Sequence, residues 1–263
     1  MSEISALFRK RIGLSEDEPI SFESLGMVLE ITATSLPFEN GCIIGKNTSG
    51  ITKDYLREKM LVKKEGGLCY ELNSLFYFFL IENGFEAFLT RGVVYKPANQ
   101  QFLTIGRTHV TILLTHQGQT YVIDTGFGGN LPLQPVPLTG EIISSRNGLF
   151  RIKQMPSEYG DYVLEMKLAY KDTDWRIGYA FDSKKPVTDV SEFDEIQEII
   201  ANHAESPFNK TPLLTRFTNT GTITLTDTSF TQWVDGKMSK EQIDSERFKE
   251  LRQQHFGING LDV

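Results

Sequence analysis

Apolar residues recur at helical spacing through the first third of the chain. Ile4, Leu7, Phe8 and Ile12 make one stripe; Leu25, Val28, Leu29, Thr32 and Leu36 make a second; Leu72, Leu75, Phe76, Phe79 and Leu80 make a third that stops at Asn83-Gly84. Recurrence at i, i+3 and i+4 predicts amphipathic helices, and an Asn-Gly pair after the last apolar position is a C-terminal stop. From about Phe85 the period changes. Short runs at 88–95, 110–114, 121–124, 150–154, 162–170 and 175–181 are separated by Gly, Pro, Asn and Asp clusters, a pattern that predicts a largely antiparallel sheet or barrel. Phe193, Ile196, Ile199 and Ile200 predict a connecting helix over 190–204, followed by strands at 213–217 and 222–226 and a charged helix over 240–256. The pattern divides the chain into a helical region, 1–84, a strand-rich region, 85–189, and a mixed region, 190–263, without internal repeats or low-complexity tracts.

Composition narrows the function classes. A chain of 263 residues can bury a large core. Its net charge of -7 argues against nucleic acid or an anionic membrane as the main partner. No apolar run is long enough to span a bilayer, and residues 1–19 are charged and amphipathic, without the apolar centre of a signal peptide. Cys42 and Cys69 are the two cysteines. They show neither metal-ligand spacing nor a disulfide framework, which suits a reducing cytosol. Cys42 follows Asn40-Gly41 in a loop-like context and reads as structural.

Cys69 is different because of its neighbours. In Glu65-Gly66-Gly67-Leu68-Cys69-Tyr70-Glu71-Leu72-Asn73 a glycine turn runs into a helix with the cysteine at its start. The positive end of the helix dipole and the unpaired N–H groups there favour a thiolate, the form that attacks a carbonyl. A base is needed, and the chain has His109, His116, His203 and His255. His109 opens an apolar run that is joined to the run ending at Asp124 by a break at Gln117-Gly118, the signature of a β-hairpin. A turn centred there sets Thr111 opposite Asp124, so that His109 becomes its diagonal neighbour at roughly 7–8 Å between backbones. The expected constellation is Cys69, His109 and Asp124, with the carboxylate orienting the imidazole. Taken singly, each residue also has an ordinary role: a small buried hydrophobe, a locally bonded strand residue and a turn-former.

These residues carry a resemblance to the arylamine N-acetyltransferase family at bacterial length. Leu7-Phe8-Arg9-Lys10-Arg11-Ile12-Gly13-Leu14 resembles the family's N-terminal signature, and Leu36-Pro37-Phe38-Glu39-Asn40 its Pro-Phe-Glu-Asn block. Residues 65–69 match its nucleophile motif, Arg107-Thr108-His109 its histidine block, and Val122-Ile123-Asp124-Thr125-Gly126-Phe127-Gly128-Gly129 its aspartate block. The resemblance implies an α+β fold made of an N-terminal helical bundle, a central antiparallel β-barrel and a C-terminal α/β lid, the first two in a papain-like arrangement. It also implies acetyl transfer from acetyl-CoA to an arylamine or arylhydrazine through an acetyl-cysteine, in a ping-pong cycle without a metal.

Binding residues follow from the same resemblance. Phe38, Val94 and Phe127 match positions lining the amine cleft. Gly126, Gly128 and Gly129 would let backbone approach the pantetheine and pyrophosphate, and Trp233 and Lys237 resemble a lid segment that holds coenzyme A. One residue departs from the pattern. Glu65 stands where the family places an arginine that can pair with the glutamate matched by Glu39; two carboxylates there would repel unless a cation intervenes, and Lys63, Lys64 and Arg107 are the sequence neighbours that could supply one. Two other readings use the same residues: a papain-like peptidase or transglutaminase, and a non-enzymatic relative with a buried, unreactive cysteine.

Overall fold

Helix Cys69–Glu82 is the element around which the rest is arranged. The computed structural model describes residues 3–258. In it this helix is apolar nearly all round, with Leu72, Leu75, Phe76, Phe79 and Leu80 all buried. A helix of that kind must be covered on several sides. Helices Glu3–Ile12 and Leu25–Ser35 cover it from the N-terminal side, through Phe8 stacked on Phe79 at 4.5 Å and through Val28 and Leu29 in the same core. Strands Glu86–Lys96 and His109–His116 add Leu89, Val110, Ile112 and Leu114 to that core. Asn83 caps the helix, and Gly84 takes the positive φ of 85° that a C-terminal stop requires.

The strand-rich region forms a nine-stranded antiparallel sheet curled into a nearly closed barrel. Along the sheet the order is Val136–Pro137, Gln119–Ile123, His109–His116, Glu86–Lys96, Arg176–Phe181, Gly160–Leu168, Gly148–Ser157 and Ile143–Ser145, with Gln101–Phe102 paired to Glu86–Lys96 off this path. Phe150, Ile152, Leu164, Met166, Tyr179 and Phe181 fill its interior. A second sheet runs Phe38–Glu39, Leu213–Thr218, Gly221–Thr226, Ser229–Val234 and Lys237–Gln242, and helix Ser245–Phe256 packs Phe248, Leu251 and Phe256 against it. The α+β assembly of helices, barrel and α/β lid is therefore the one expected. Among the described residues no helix is long and apolar enough to cross a membrane.

Local expectations fail where no apolar period exists. The charged helix expected over 240–256 begins only at Ser245, where the Asp244 side chain accepts from Arg247 N–H at 2.9 Å as its N-cap. Residues 237–242 are instead a fully exposed edge strand, Lys237–Gln242, joined to Ser229–Val234 by a turn at Asp235 and Gly236 with φ of 48° and 78°. Met238 is the one apolar residue of this edge strand, so no alternation is present to read. Within the helical region, strand Phe38–Glu39 and a π-helical turn, Arg57–Val62, also leave no pattern in the sequence. Two residues are too few for a period, and the strand exists because Leu213–Thr218, about 175 residues downstream, pairs with it.

Candidate active site

The turn before Cys69 is built for close approach. A Cβ on Gly66 would meet the Pro37 carbonyl and lie 2.8 Å from Glu39 Cγ, and one on Gly67 would lie 2.9 Å from Glu71 Cβ. Strand Phe38–Glu39 fastens the turn: Glu39 N–H donates to Gly67 O at 3.0 Å, and Gly67 N–H to Pro37 O at 3.2 Å. Glu71 reaches back to accept from Leu68 N–H at 2.9 Å, satisfying one of the helix's orphan donors. The result puts Cys69 at the first turn of the helix, 6% exposed, with Sγ donating to Thr108 O at 3.4 Å.

The hairpin carries the other two residues to the same place. Ile112 pairs with Ile123 and His116 with Gln119 across a two-residue turn whose Gln117 and Gly118 have φ of 49° and 76°. That is the register in which Thr111 falls opposite Asp124. His109 Nε2 lies 2.8 Å from Asp124 Oδ2, with both side chains almost wholly buried. Burial works against a charged imidazole, yet the Asp124 carboxylate, its hydrogen bond and the adjacent Cys69 hold the His109 pKa up at about 10. The imidazole beside Cys69 is thus a cation at neutral pH.

Two residues with no role assigned from sequence complete the constellation. Tyr179 donates its hydroxyl to Asp124 Oδ2 at 2.9 Å and sits 3.1 Å from Thr111 Oγ1, while its ring packs 4.3 Å from that of His109. Burial and the Asp124 charge push its phenol well up, which keeps it a donor. Asn73, one helical turn after Cys69, donates to Asp124 Oδ1 at 3.0 Å and to Val110 O at 2.8 Å, and accepts from Thr125 N–H at 2.9 Å. Gly126 N–H adds a fourth donor to Asp124, at 2.8 Å. An Asn on an apolar helix, four residues from a candidate nucleophile, was a signal available in the sequence, and the structure buries it fully. Tyr179 gave none, since an aromatic in a strand is ordinary.

The buried cation that pairs with Glu39 is none of the three sequence neighbours of Glu65. Lys59, from the π-helical turn, places Nζ 2.7 Å from Glu71 Oε1 and 3.4 Å from Glu39 Oε1, with all three side chains buried. Burial disfavours its charge, but Glu71 and Glu39 together hold its pKa well above the usual lysine value. Burial raises the Glu65 carboxyl, Lys59 pulls against that and Glu39 adds repulsion. Lys63 adds a smaller pull on Glu65, while Arg107 is held elsewhere, donating to Glu158 O at 3.0 Å. Cys42 stands 3.8 Å from the Tyr55 hydroxyl at the edge of this cluster, and burial pushes its thiol up.

A cavity of about 270 Å³ opens over Cys69 and His109. Phe38, Val94 and Phe127 line it, as do Gly126, Gly128 and Gly129. Gly126 has a nearer reason to be glycine than any ligand, because a Cβ there would lie 2.6 Å from Cys69 Cα and 2.8 Å from Asn73 Nδ2. Trp233 does not reach this cavity. It lines a second one of about 190 Å³ with Arg146, Tyr170 and Lys171, and Lys171 Nζ stands 5.0 Å from the centre of its ring. Lys237, at the exposed end of the hairpin, lines neither. The two cavities adjoin at the loop after Asp124, where Asn147 of the second donates to Gly129 O at 3.2 Å. Among the described residues no three His, Cys, Asp or Glu side chains converge as a metal site.

The chain is similar to known proteins over nearly its whole length. A family model described as N-acetyltransferase matches residues 21–262. A Bacillus subtilis protein described as an uncharacterized acetyltransferase, YvcN, is 38% identical over 94% of this chain and 95% of its own length. The crystal structure of arylamine N-acetyltransferase C from Bacillus anthracis superposes with a TM-score of 0.93 at 39% identity, covering 98% of this chain and 100% of that one. An arylamine N-acetyltransferase from Bacillus cereus, described as having a Cys-His-Glu triad, does so with a TM-score of 0.93 at 40% identity, over 99% and 100% of the two chains; here the carboxylate facing the histidine is an aspartate. The α+β fold with its papain-like core and the extent of these matches lead to one conclusion: the chain belongs to the arylamine N-acetyltransferase family and is an acyltransferase.

Proposed function

We propose that the protein transfers an acetyl group from acetyl-CoA to the nitrogen of an arylamine or arylhydrazine, in a ping-pong cycle through an acetyl group on Cys69, with His109 and Asp124 as the other catalytic residues. The observation that carries this reading is the buried His109–Asp124 pair brought against a cysteine at a helix N-terminus, under an apolar cavity. With the proton already on His109, Cys69 attacks the thioester carbonyl as the thiolate. The C–S bond to coenzyme A breaks as His109 protonates the departing thiolate. An amine then attacks the new thioester and loses its proton to His109, and the N-acetyl product leaves with Cys69 restored. One thioester replaces another in the first half, so that step is close to balanced. Backbone N–H groups at the start of helix Cys69–Glu82 are suited to the oxyanion, an effect of about 2.7–4 kcal/mol per donor.

For the donor, the second cavity supports a different set of contacts from the one expected. Arg146 and Lys171 offer cations and Tyr170 and Trp233 aromatic faces beside the loop 126–130, so we assign the nucleotide end of acetyl-CoA to this cavity rather than to Lys237. The same reading divides the chain functionally at the expected boundaries for the triad, with the nucleophile on 1–84 and His109 and Asp124 on 85–189, while the donor cavity is shared between Arg146, Tyr170 and Lys171 of 85–189 and Trp233 of the lid, 190–263.

Incubation with acetyl-CoA and no amine should leave one acetyl group on the peptide containing Cys69, and Cys69→Ser should abolish turnover. Label on Cys42 instead, or activity surviving in Cys69→Ser, would overturn the mechanism.

A further inference from the structure

Apart from His109, the cavity over Cys69 has walls without charge. Leu103, Ile105, Phe127, Phe208 and Leu213 face it with Phe38, and among the described residues no Lys, Arg, Asp or Glu lines it. We propose that the acceptor site selects uncharged amines and discriminates against those bearing a carboxylate, an inference that rests on the acetyl-transfer reading above.

Three observations lead there. First, the cation the cavity does contain is already matched. His109 faces Asp124 at 2.8 Å, so once Cys69 carries an acyl group the pair presents no net positive charge to an incoming anion. A carboxylate brought inside would lose its water with no cation to replace it.

Second, the outer rim is not basic toward the cavity. Its two loops are clasped by the Thr104 hydroxyl donating to the carboxylate of Glu205. Arg107, on the first loop, is held at 3.0 Å by Glu158 O, and Lys210, on the second, is exposed and does not line the cavity.

Third, the wall is fixed. Asn40 Nδ2 donates to Phe208 O at 2.8 Å and Thr211 O at 2.9 Å, Leu213 N–H donates to Asn40 Oδ1 at 2.7 Å, and the Phe208 ring meets that of Phe38 edge-on at 5.5 Å. With its backbone tied at three points, this loop cannot readily swing a charged side chain inward. A free arylamine suits such a site, since it is neutral at neutral pH and its lone pair is available; a protonated alkylamine meets neither condition.

The matched pair that tests this is 4-aminobenzoate and its methyl ester, which share ring and amine and differ in charge. The ester withdraws more electron density from the nitrogen, so intrinsic nucleophilicity runs against the expected order. With acetyl-CoA as donor, kcat/KM for the ester should exceed that for the acid by at least about tenfold. Leu103→Arg, or Ile105→Arg as a second variant, should shrink that ratio by placing a cation in the wall. Equal or better use of the acid by the natural protein would overturn the proposal. Failure of acetyl transfer itself registers separately, as no acetylation of Cys69 by acetyl-CoA alone. In that event, protection of Cys69 from iodoacetamide decides: protection by the ester and not the acid supports the selectivity, and equal protection overturns it.

Discussion

Lys59 Nζ lies 2.7 Å from Glu71 Oε1, and both side chains are almost completely buried. Glu71 also accepts from Leu68 N–H at the start of the nucleophile helix, so one buried lysine reaches the turn before Cys69 through one carboxylate. Its second partner, Glu39, accepts from Gly41 N–H at 2.5 Å and so anchors the strand that fastens the same turn. Glu65, which replaces the cation expected by resemblance, is tolerable because Lys59 supplies the charge from another element.

Removing that charge leaves two buried carboxylates unmatched. Lys59→Met should therefore cost about 3–5 kcal/mol of stability in urea unfolding, the range for breaking a buried ion pair from one side. Glu65→Arg alone should keep Cys69 acetylation within about tenfold, or roughly 1.4 kcal/mol in barrier, while shifting the unfolding midpoint. Added to Lys59→Met it should recover part of the lost stability. No recovery in the double variant would show that position 65 cannot reach the two carboxylates.

Asp124 depends on donors the sequence did not announce. Tyr179→Phe deletes the hydroxyl and keeps the ring on His109, so it should lower kcat by about tenfold, the effect of one charge-assisted hydrogen bond of about 1.5–3 kcal/mol only partly felt in the transition state. KM for the amine should change little. Asn73→Ala removes both the Asp124 contact and the tie to Val110, and should slow alkylation of Cys69 by iodoacetamide as well as turnover. Steady-state kinetics and alkylation rates separate the two effects.

Stability should depend on pH through His109. Its pKa is raised in the folded protein, from 6.5 to about 10, so the stabilisation is fully present below pH 6.5 and is lost as pH rises toward 10. The melting temperature of the natural protein should fall across that interval. Asp124→Asn removes the charge that raises the pKa, and its melting temperature should be lower at neutral pH and flatter over the same range. A natural protein as flat as the variant would refute the ion-pair description.

The donor assignment separates three lysine and arginine positions. Arg146→Ala and Lys171→Ala should each raise KM for acetyl-CoA several-fold and leave iodoacetamide alkylation of Cys69 unchanged, because they line the second cavity and not the first. Lys237→Ala should have little effect. If Lys237→Ala raises KM and the other two do not, the nucleotide end lies along the hairpin tip instead.

What the sequence determined by itself rests on short-range regularities. The 3.6-residue recurrence of Leu72, Leu75, Phe76 and Phe79 defined the nucleophile helix, and Gly66-Gly67 put Cys69 at its start. A two-residue turn at Gln117-Gly118 determined the hairpin register and hence the His109–Asp124 diagonal, because side-chain alternation leaves no freedom once the turn is set. Tertiary structure decided everything that joins distant segments. Tyr179 reaches Asp124 across 55 residues of chain, and Asn40 holds residues 208–213 across about 170. Lys59 replaces an arginine at a position six residues away only because a π turn redirects its side chain inward. Strand Lys237–Gln242, exposed on every residue, is a strand because its neighbour Ser229–Val234 offers an unpaired edge. Such contacts are made by backbone hydrogen bonds and by buried charges seeking partners, and neither leaves a period in the order of residues.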